Sequence, residues 1–306
     1  MLYLTYYNGH NDGFGAQYQR ILGIYSICKE YDIGYYHTEI SDIGYQGVNA
    51  LELNSNDEKF IINCNDRIKI INSDIIFEKT LLSLNIDLET LLKIKQHSIR
   101  NNILLKIRYP YNITDNIINI YSHCRDIYKI NIPKNKIFTI GMHVRRGDLF
   151  LEAYKERMLP NEHYINIAKR IAKICEKIGI KYIIELYTEL PNKDIVITPN
   201  HPGINNVISN DIIISRDNHF IEDFDVLPNL VKYINEDLLS SFDRMINSDI
   251  FISSKSSLSS CVSYLKKGIT IYHKFWHTFN TKDIDYLDPL FEDKVFNFIN
   301  NKWISK

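Results

Sequence analysis

The residues best placed to do chemistry are His143, Arg145, Arg146 and Asp148, in the stretch "HVRRGD". An apolar run, "IFTIGMHV", leads directly into two adjacent cations that repel each other. Such a pair calls for a nearby anion, supplied by the protein or by a ligand. Arginine can grip a phosphate or carboxylate with two parallel charge-assisted hydrogen bonds, so a phosphorylated ligand is the natural guest. An ion pair between Arg146 and Asp148 is the alternative, and an adhesion-type "RGD" is a second one.

Three further stretches carry suitable groups. "DGFGAQ" contains Gly13, Gly15 and Ala16 between a strand-like run and a helical one. Glycine lets a backbone approach a phosphate, and a helix N-terminus favours negative charge. The stretch lacks both the third glycine of a dinucleotide fingerprint and the Lys-Ser/Thr of a P-loop, and a plain tight turn fits it equally. "SSKSSLSSC" sets Ser256 and Ser257 at a helix start, where hydroxyls and N–H groups can cradle a diphosphate; simple N-capping is the other reading. "YTELP" places Glu189 after a strand. The acid triplets "DFD" (Asp223 to Asp225) and "DID" (Asp283 to Asp285) are expected to be solvated.

These groups need strand ends and helix starts to hold them. Leu2 to Tyr7 reads as a strand, Ala16 to Tyr31 as a helix and Asp32 to His37 as a strand. The stretch "LETLLKIKQHSIRNNILLKI" reads as amphipathic helix. Ile137 to Val144 is a strand. Asn161 to Ile178 is a helix, with Gly179 just past its end as a cap. "KYIIELYT", "DIIIS", "DIFIS" and "ITIYH" are strands, residues 228–248 are helical, and Ser257 to Lys267 is a helix stopped by Gly268. Alternating strand and helix predicts parallel sheets covered by helices, in two α/β regions. The expected domains are 1–130, 131–284, and a C-terminal helix, 285–306, that packs back on the first domain.

Composition narrows the partners. The chain has 306 residues, is 45% hydrophobic and has a net charge of −1, which leaves no general basic coat for nucleic acid. The five cysteines are scattered and odd in number, with neither metal-ligand spacing nor a disulfide framework. With no leader-like N-terminus and no apolar run of about 18 to 20 residues, the expectation is a cytoplasmic protein with no membrane span. Oligomeric state is not legible.

"HVRRGD" resembles the HxRRxD motif shared by α1,2-, α1,6- and some protein O-fucosyltransferases. "GFGAQ" resembles the N-terminal Gly-x-Gly-x-Gln loop of the α1,6 enzymes. "YTELP" resembles their Thr-Asp-Asp-Pro stretch, and "SDIFISSKSSLSSCVSYL" their strand-Ser-Ser-helix segment. The resemblance covers the second half and the first thirty residues. It implies a GT-B-like α/β fold of two facing Rossmann-like domains, GDP-fucose as donor, a glycan acceptor, inversion, and no metal or other cofactor. By the same resemblance, Arg145 neutralises the β-phosphate and His143 approaches guanine. Gly13, Gly15 and Ala16 lie along the diphosphate, while Arg146, Asp148, Glu189, Ser256 and Ser257 complete the donor site. Asp243 is the carboxylate expected to read guanine, with Asp237 or Asp249 as substitutes. Glu152 is the expected general base and Glu189 its rival. A transferase for another nucleotide-sugar, or a non-catalytic glycan- or nucleotide-binding protein, remains open at this point.

Overall fold

The computed structural model describes residues 1–8, 12–44, 58–70, 72–146, 149, 156–197, 210–215, 220–275 and 280–304. The chain forms two compact units that divide between Ile130 and Asn131, with a short later segment ending at Thr281 belonging to the first.

Unit 1 is built on β1 (Leu2–Tyr6), α1 (Phe14–Glu30), β2 (Gly34–Tyr35), α2 (Glu58–Asn65), β3 (Lys79–Asn85), α3 (Leu88–His97), β4 (Ile103–Tyr109) and the single turn α4 (Tyr111–Thr114). Its four strands are all parallel, in the order β2-β1-β4-β3. Leu2, Leu4 and Tyr6 alternate along β1 and are buried, as period-two packing requires. The helix α1 is buried on nearly every face, including Gln17, Gln19 and Arg20, so it is a core helix and not a one-sided surface one. The stretch read as one long amphipathic helix is instead α3 followed by β4. The stretch "SIRNN", residues 98–102, breaks it, and "ILLKIRY" then takes an inner position in the sheet.

Unit 2 contains β5 (Phe138–His143), α5 (Asn161–Lys177), β6 (Tyr182–Thr188), β7 (Ile195–Ile197), β8 (Ile212–Ile214), β9 (Leu230–Ile234), α6 (Leu238–Asn247), β10 (Ile250–Ile252), α7 (Ser257–Leu265), β11 (Ile269–Tyr272), β12 (Ile284–Asp285) and α8 (Phe291–Ile299). Six strands form a parallel sheet in the order β12-β11-β10-β5-β6-β9, and β7 pairs antiparallel with β8 as a separate ribbon. The chain is therefore α/β with two parallel sheets. Strand order turns around between β5 and β10, which makes the carboxyl ends of these two strands the crevice of an open α/β sheet.

Even-numbered residues of β5 and beyond (Phe138, Ile140, Met142, Val144) share one core with α5 and α8. Each fully buried aliphatic or aromatic side chain there contributes on the order of 1.5–3 kcal/mol. Two expectations need correction. Residues 228–248 are not one helix: Leu230–Ile234 forms edge strand β9 before α6 begins at Asp237, whose side chain caps Ser240 N–H. The C-terminal helix belongs to unit 2. Phe291, Val295 and Ile299 of α8 are fully buried in the unit 2 core, and Glu292 pairs with Arg170 of α5. Gly179 does cap α5, at φ +72°, a conformation that costs a side-chain-bearing residue energy.

Candidate functional site

β5 ends at His143, and its pairing with β6 continues one residue further, where Val144 N–H donates to Tyr187 O at 2.9 Å. On the other side β10 pairs Ile252 with Met142, so Ser253 and Ser254 leave the sheet beside His143. The His143 ring makes the junction between the two: its Nδ1 is 2.8 Å from Ser259 Oγ and 3.0 Å from Ser254 Oγ. Ser259 Oγ also accepts from Ser254 N–H at 3.1 Å and lies 3.0 Å from Ser254 Oγ. Which ring nitrogen carries the proton follows from how these two hydroxyls orient. Burial, reinforced by the charges of Arg145 and Arg146, pushes His143 down to about 3, so the imidazole is neutral at ordinary pH. The N-terminus of α7 points into the same strand-end region, and its partial positive charge adds to that of Arg145.

The two arginines have different fates. Arg146 continues the even register of the strand and is buried at 5% exposure. Its guanidinium donates to Arg145 O at 2.8 Å and to Asn161 Oδ1, and lies against the Tyr164 ring at 5.9 Å. Asn161 in turn donates to Phe220 O and Asp223 Oδ2. Arg146 is thus a strut between the end of β5 and the start of α5. The signal was present in the alternation of Phe138, Ile140, Met142 and Val144, which predicts that residue 146 turns inward. Arg145 is half-buried, on the odd register it shares with His143.

Ser256 caps α7 by accepting from Leu258 N–H at 3.2 Å, and Ser257 is the first, half-buried helical residue. Ser254 and Ser259, singled out by no sequence rule, are the serines that hold His143. Glu189 follows Thr188, whose Oγ1 donates to Val144 O at 2.7 Å; the carboxylate stands one residue beyond the last paired positions, as Arg145 does on the neighbouring strand. Asp148 and Glu152 lie outside the described residues.

Asp243 does not join this group. It is fully buried on α6 and accepts from Asn131 N–H at 2.9 Å, which fixes the segment entering unit 2. A carboxylate committed in this way has no edge to offer a base. Its substitutes are also committed: Asp237 caps α6, and fully buried Asp249 binds Lys134 at 2.5 Å and Thr139 N–H at 3.0 Å. Of the acid triplets, Asp283 is buried and not solvated, accepting from Ser263 Oγ at 2.6 Å and Thr270 N–H at 2.8 Å. Among the described residues, no group of three or more His, Cys, Asp or Glu side chains is set to hold a metal ion, and no helix is long and apolar enough to cross a membrane.

In unit 1, Gly13 is the N-cap of α1, with Gly15 and Ala16 in its first turn. Gln17 locks this loop by donating to Asp12 O and Asp42 O, both at 2.7 Å. Sequence reasoning missed Arg20, which pairs with Asp12 at 2.5 Å, and Arg108 beside it.

No family model matches the chain, and no curated protein matches it. Among solved structures, a crystal structure of POFUT1 in complex with GDP is similar at 12% identity and a TM-score of 0.42, covering 87% of this chain and 94% of that one. A second crystal form of POFUT1 with GDP gives 12% identity, a TM-score of 0.37, and coverage of 86% and 94%. At this level the likeness bears on neither activity nor ligand.

Proposed function

We propose that the chain is an inverting glycosyltransferase that moves L-fucose from GDP-fucose to a hydroxyl of a glycan acceptor, without a metal. The observation that carries this reading is the "HVRRGD" stretch at the carboxyl end of β5, where strand order turns around and His143 is tied by hydroxyls to the N-terminal turn of α7. A neutral imidazole, a half-buried arginine and a helix N-terminus at one strand end suit a nucleoside diphosphate.

In the reaction proposed, the acceptor oxygen bonds to C1 of fucose as the bond from C1 to the β-phosphate oxygen breaks. The bonding pair leaves on that oxygen, and Arg145 stabilises the charge that develops there. The acceptor proton passes to a carboxylate, Glu152 or Glu189. Contacts of Gly13, Gly15 and Ala16 with the diphosphate, and of Ser256 and Ser257 with donor oxygens, rest on the motif resemblance alone. Guanine needs a different partner from Asp243.

Calorimetric titration with GDP, GDP-fucose and UDP-sugars tests the donor. A glycan array incubated with GDP-fucose, with product linkage assigned by NMR, tests the transfer. Binding of UDP-sugars in preference to GDP-fucose would replace the donor assignment. GDP-fucose binding with neither transfer nor hydrolysis would replace the catalytic one.

A further inference from the structure

Unit 1 repeats a pattern seen in unit 2: an apolar strand runs out into an arginine. In β4 this residue is Arg108. Tyr6 pairs with Ile107, and Tyr7 N–H donates to Ile107 O at 2.9 Å, so Arg108 stands at the carboxyl edge of the β1–β4 pair. Strand order in this sheet turns around between β1 and β4, so Arg108 stands at the sheet's own ligand crevice.

Two guanidinium groups lie against the ring of Tyr109, Arg20 at 4.7 Å and Arg108 at 4.6 Å. Their surroundings differ. Arg20 is buried and neutralised by Asp12 at 2.5 Å. Arg108 is half-buried, and among the described residues it donates no hydrogen bond and joins no ion pair; its Nε is buried with no acceptor. The first turn of α1, at the same end of β1, carries no acidic side chain. The aromatic ring is an electrostatic partner for a cation, but it accepts no hydrogen bond in the guanidinium plane. The guanidinium of Arg108 lies against Tyr109, and its two terminal nitrogens form the fork that matches an oxyanion. Beside it, the half-buried rings of Tyr109 and Tyr111 stack at 6.2 Å and 29°. Aromatic surface next to a single oriented polar group is the usual make-up of a small-molecule site.

We propose that unit 1 carries a binding site for a saccharide bearing an oxyanion, with Arg108 forked on the carboxylate or phosphate and the Tyr109–Tyr111 pair against the sugar ring. Identifying this saccharide as the acceptor rests on the transferase reading; the site itself does not.

The test is NMR titration of the full chain with methyl β-glucuronide, methyl β-glucoside and methyl glucoside 6-phosphate, alongside GDP. At least one charged glycoside should bind about 10- to 100-fold more tightly than the neutral one, as a charge-assisted pair warrants. The uronide and phosphate arms tell which oxyanion is preferred. Arg108→Gln should abolish the preference, and Arg108→Lys should retain part of it, both with GDP affinity unchanged. If Arg108→Gln fails to fold, Arg108→Lys and the salt dependence of the wild-type preference carry the test. Equal binding of all three glycosides, or a preference untouched by Arg108→Gln, would overturn the proposal. A preference for the charged glycoside without GDP binding would remove the transferase reading and leave this site; GDP-fucose transfer without the preference would do the reverse.

Discussion

His143 Nδ1 and Ser259 Oγ lie 2.8 Å apart although 116 residues separate them in the chain. The bond joins the end of β5 to the first turn of α7, and it fixes the tilt of the imidazole. Ser259→Ala should leave Ser254 as the remaining hydroxyl partner. We expect GDP affinity to fall several-fold with little change in melting temperature; an unchanged affinity would detach the hydroxyl pair from nucleotide binding.

Arg145 and Arg146 should separate by readout. Arg145→Ala should abolish transfer at near-native stability, and Arg145→Lys should stay badly impaired because a point charge cannot replace a fork. Arg146→Ala should instead lower stability by about 1–3 kcal/mol, since Asn161 Oδ1 and Arg145 O lose their donor. Urea unfolding beside turnover measurements distinguishes the two. Equal stability losses would contradict the strut role of Arg146.

Acid should destabilise the fold through neutral histidines. Burial lowers His143 to about 3 and both His37 and His163 to about 4, against about 6.5 in the unfolded chain. Between pH 6.5 and 4 the unfolded chain therefore binds more protons, so stability is full above pH 6.5 and is lost as pH falls towards the folded values. His143→Asn should flatten the fall in melting temperature over that window. A variant as steep as wild type would show that His143 is not among the groups responsible.

For the general base, Glu152→Gln should keep GDP affinity and lower kcat by roughly 10²- to 10⁴-fold, with loss of the acid limb of the rate profile. If that variant turns over within a few-fold of wild type, Glu189→Gln is the one expected to show these effects. Activity in EDTA is expected in either case, and a strict need for Mg²⁺ or Mn²⁺ would contradict the metal-free reading.

Gly268→Ala should cost about 1–3 kcal/mol, the range for overpacking. A Cβ at Gly268 would collide with the Asp249 carbonyl oxygen and come within 2.6 Å of Lys266 Nζ. Lys266 is fully buried and donates to Ser248 O, Asp249 O and Ile269 O, so the collision falls on a site that cannot relax cheaply. Thermal denaturation of the variant is the measurement.

Strands β5, β6, β10 and β11 and helix α5 were legible because each is an apolar run with clear punctuation, such as Gly179. The region after α3 was not: Leu, Ile and Lys suit both a helical and an extended period, and only pairing with β1 and β3 makes "ILLKIRY" a strand. The edge strand Leu230–Ile234 lacks alternation, and none of its residues is fully buried. In the candidate site, residue type pointed to the strand end correctly but could not say which acids are committed to backbone. Asp243 and Asp249 look like free carboxylates in the sequence because the N–H groups they accept from, at Asn131 and Thr139, lie more than a hundred residues away. In the sequence Gly268 looks like a helix stop, yet α7 already ends at Leu265, and the glycine serves a close approach instead.

The pairing of Leu2 with Ile103 has a consequence during synthesis. β1 is the inner strand on which β2 and β4 both depend, and its longer partner leaves the ribosome about a hundred residues after it. At roughly 5 to 20 residues per second, β1 and α1 wait about 5 to 20 s with most of their apolar surface uncovered. In unit 2, β5 meets β6 after a gap less than half as long. The nascent first unit is therefore the part of the chain most exposed to chaperones and to premature self-association, and a translational pause before Tyr109 should lower the yield of folded protein more than one placed after it.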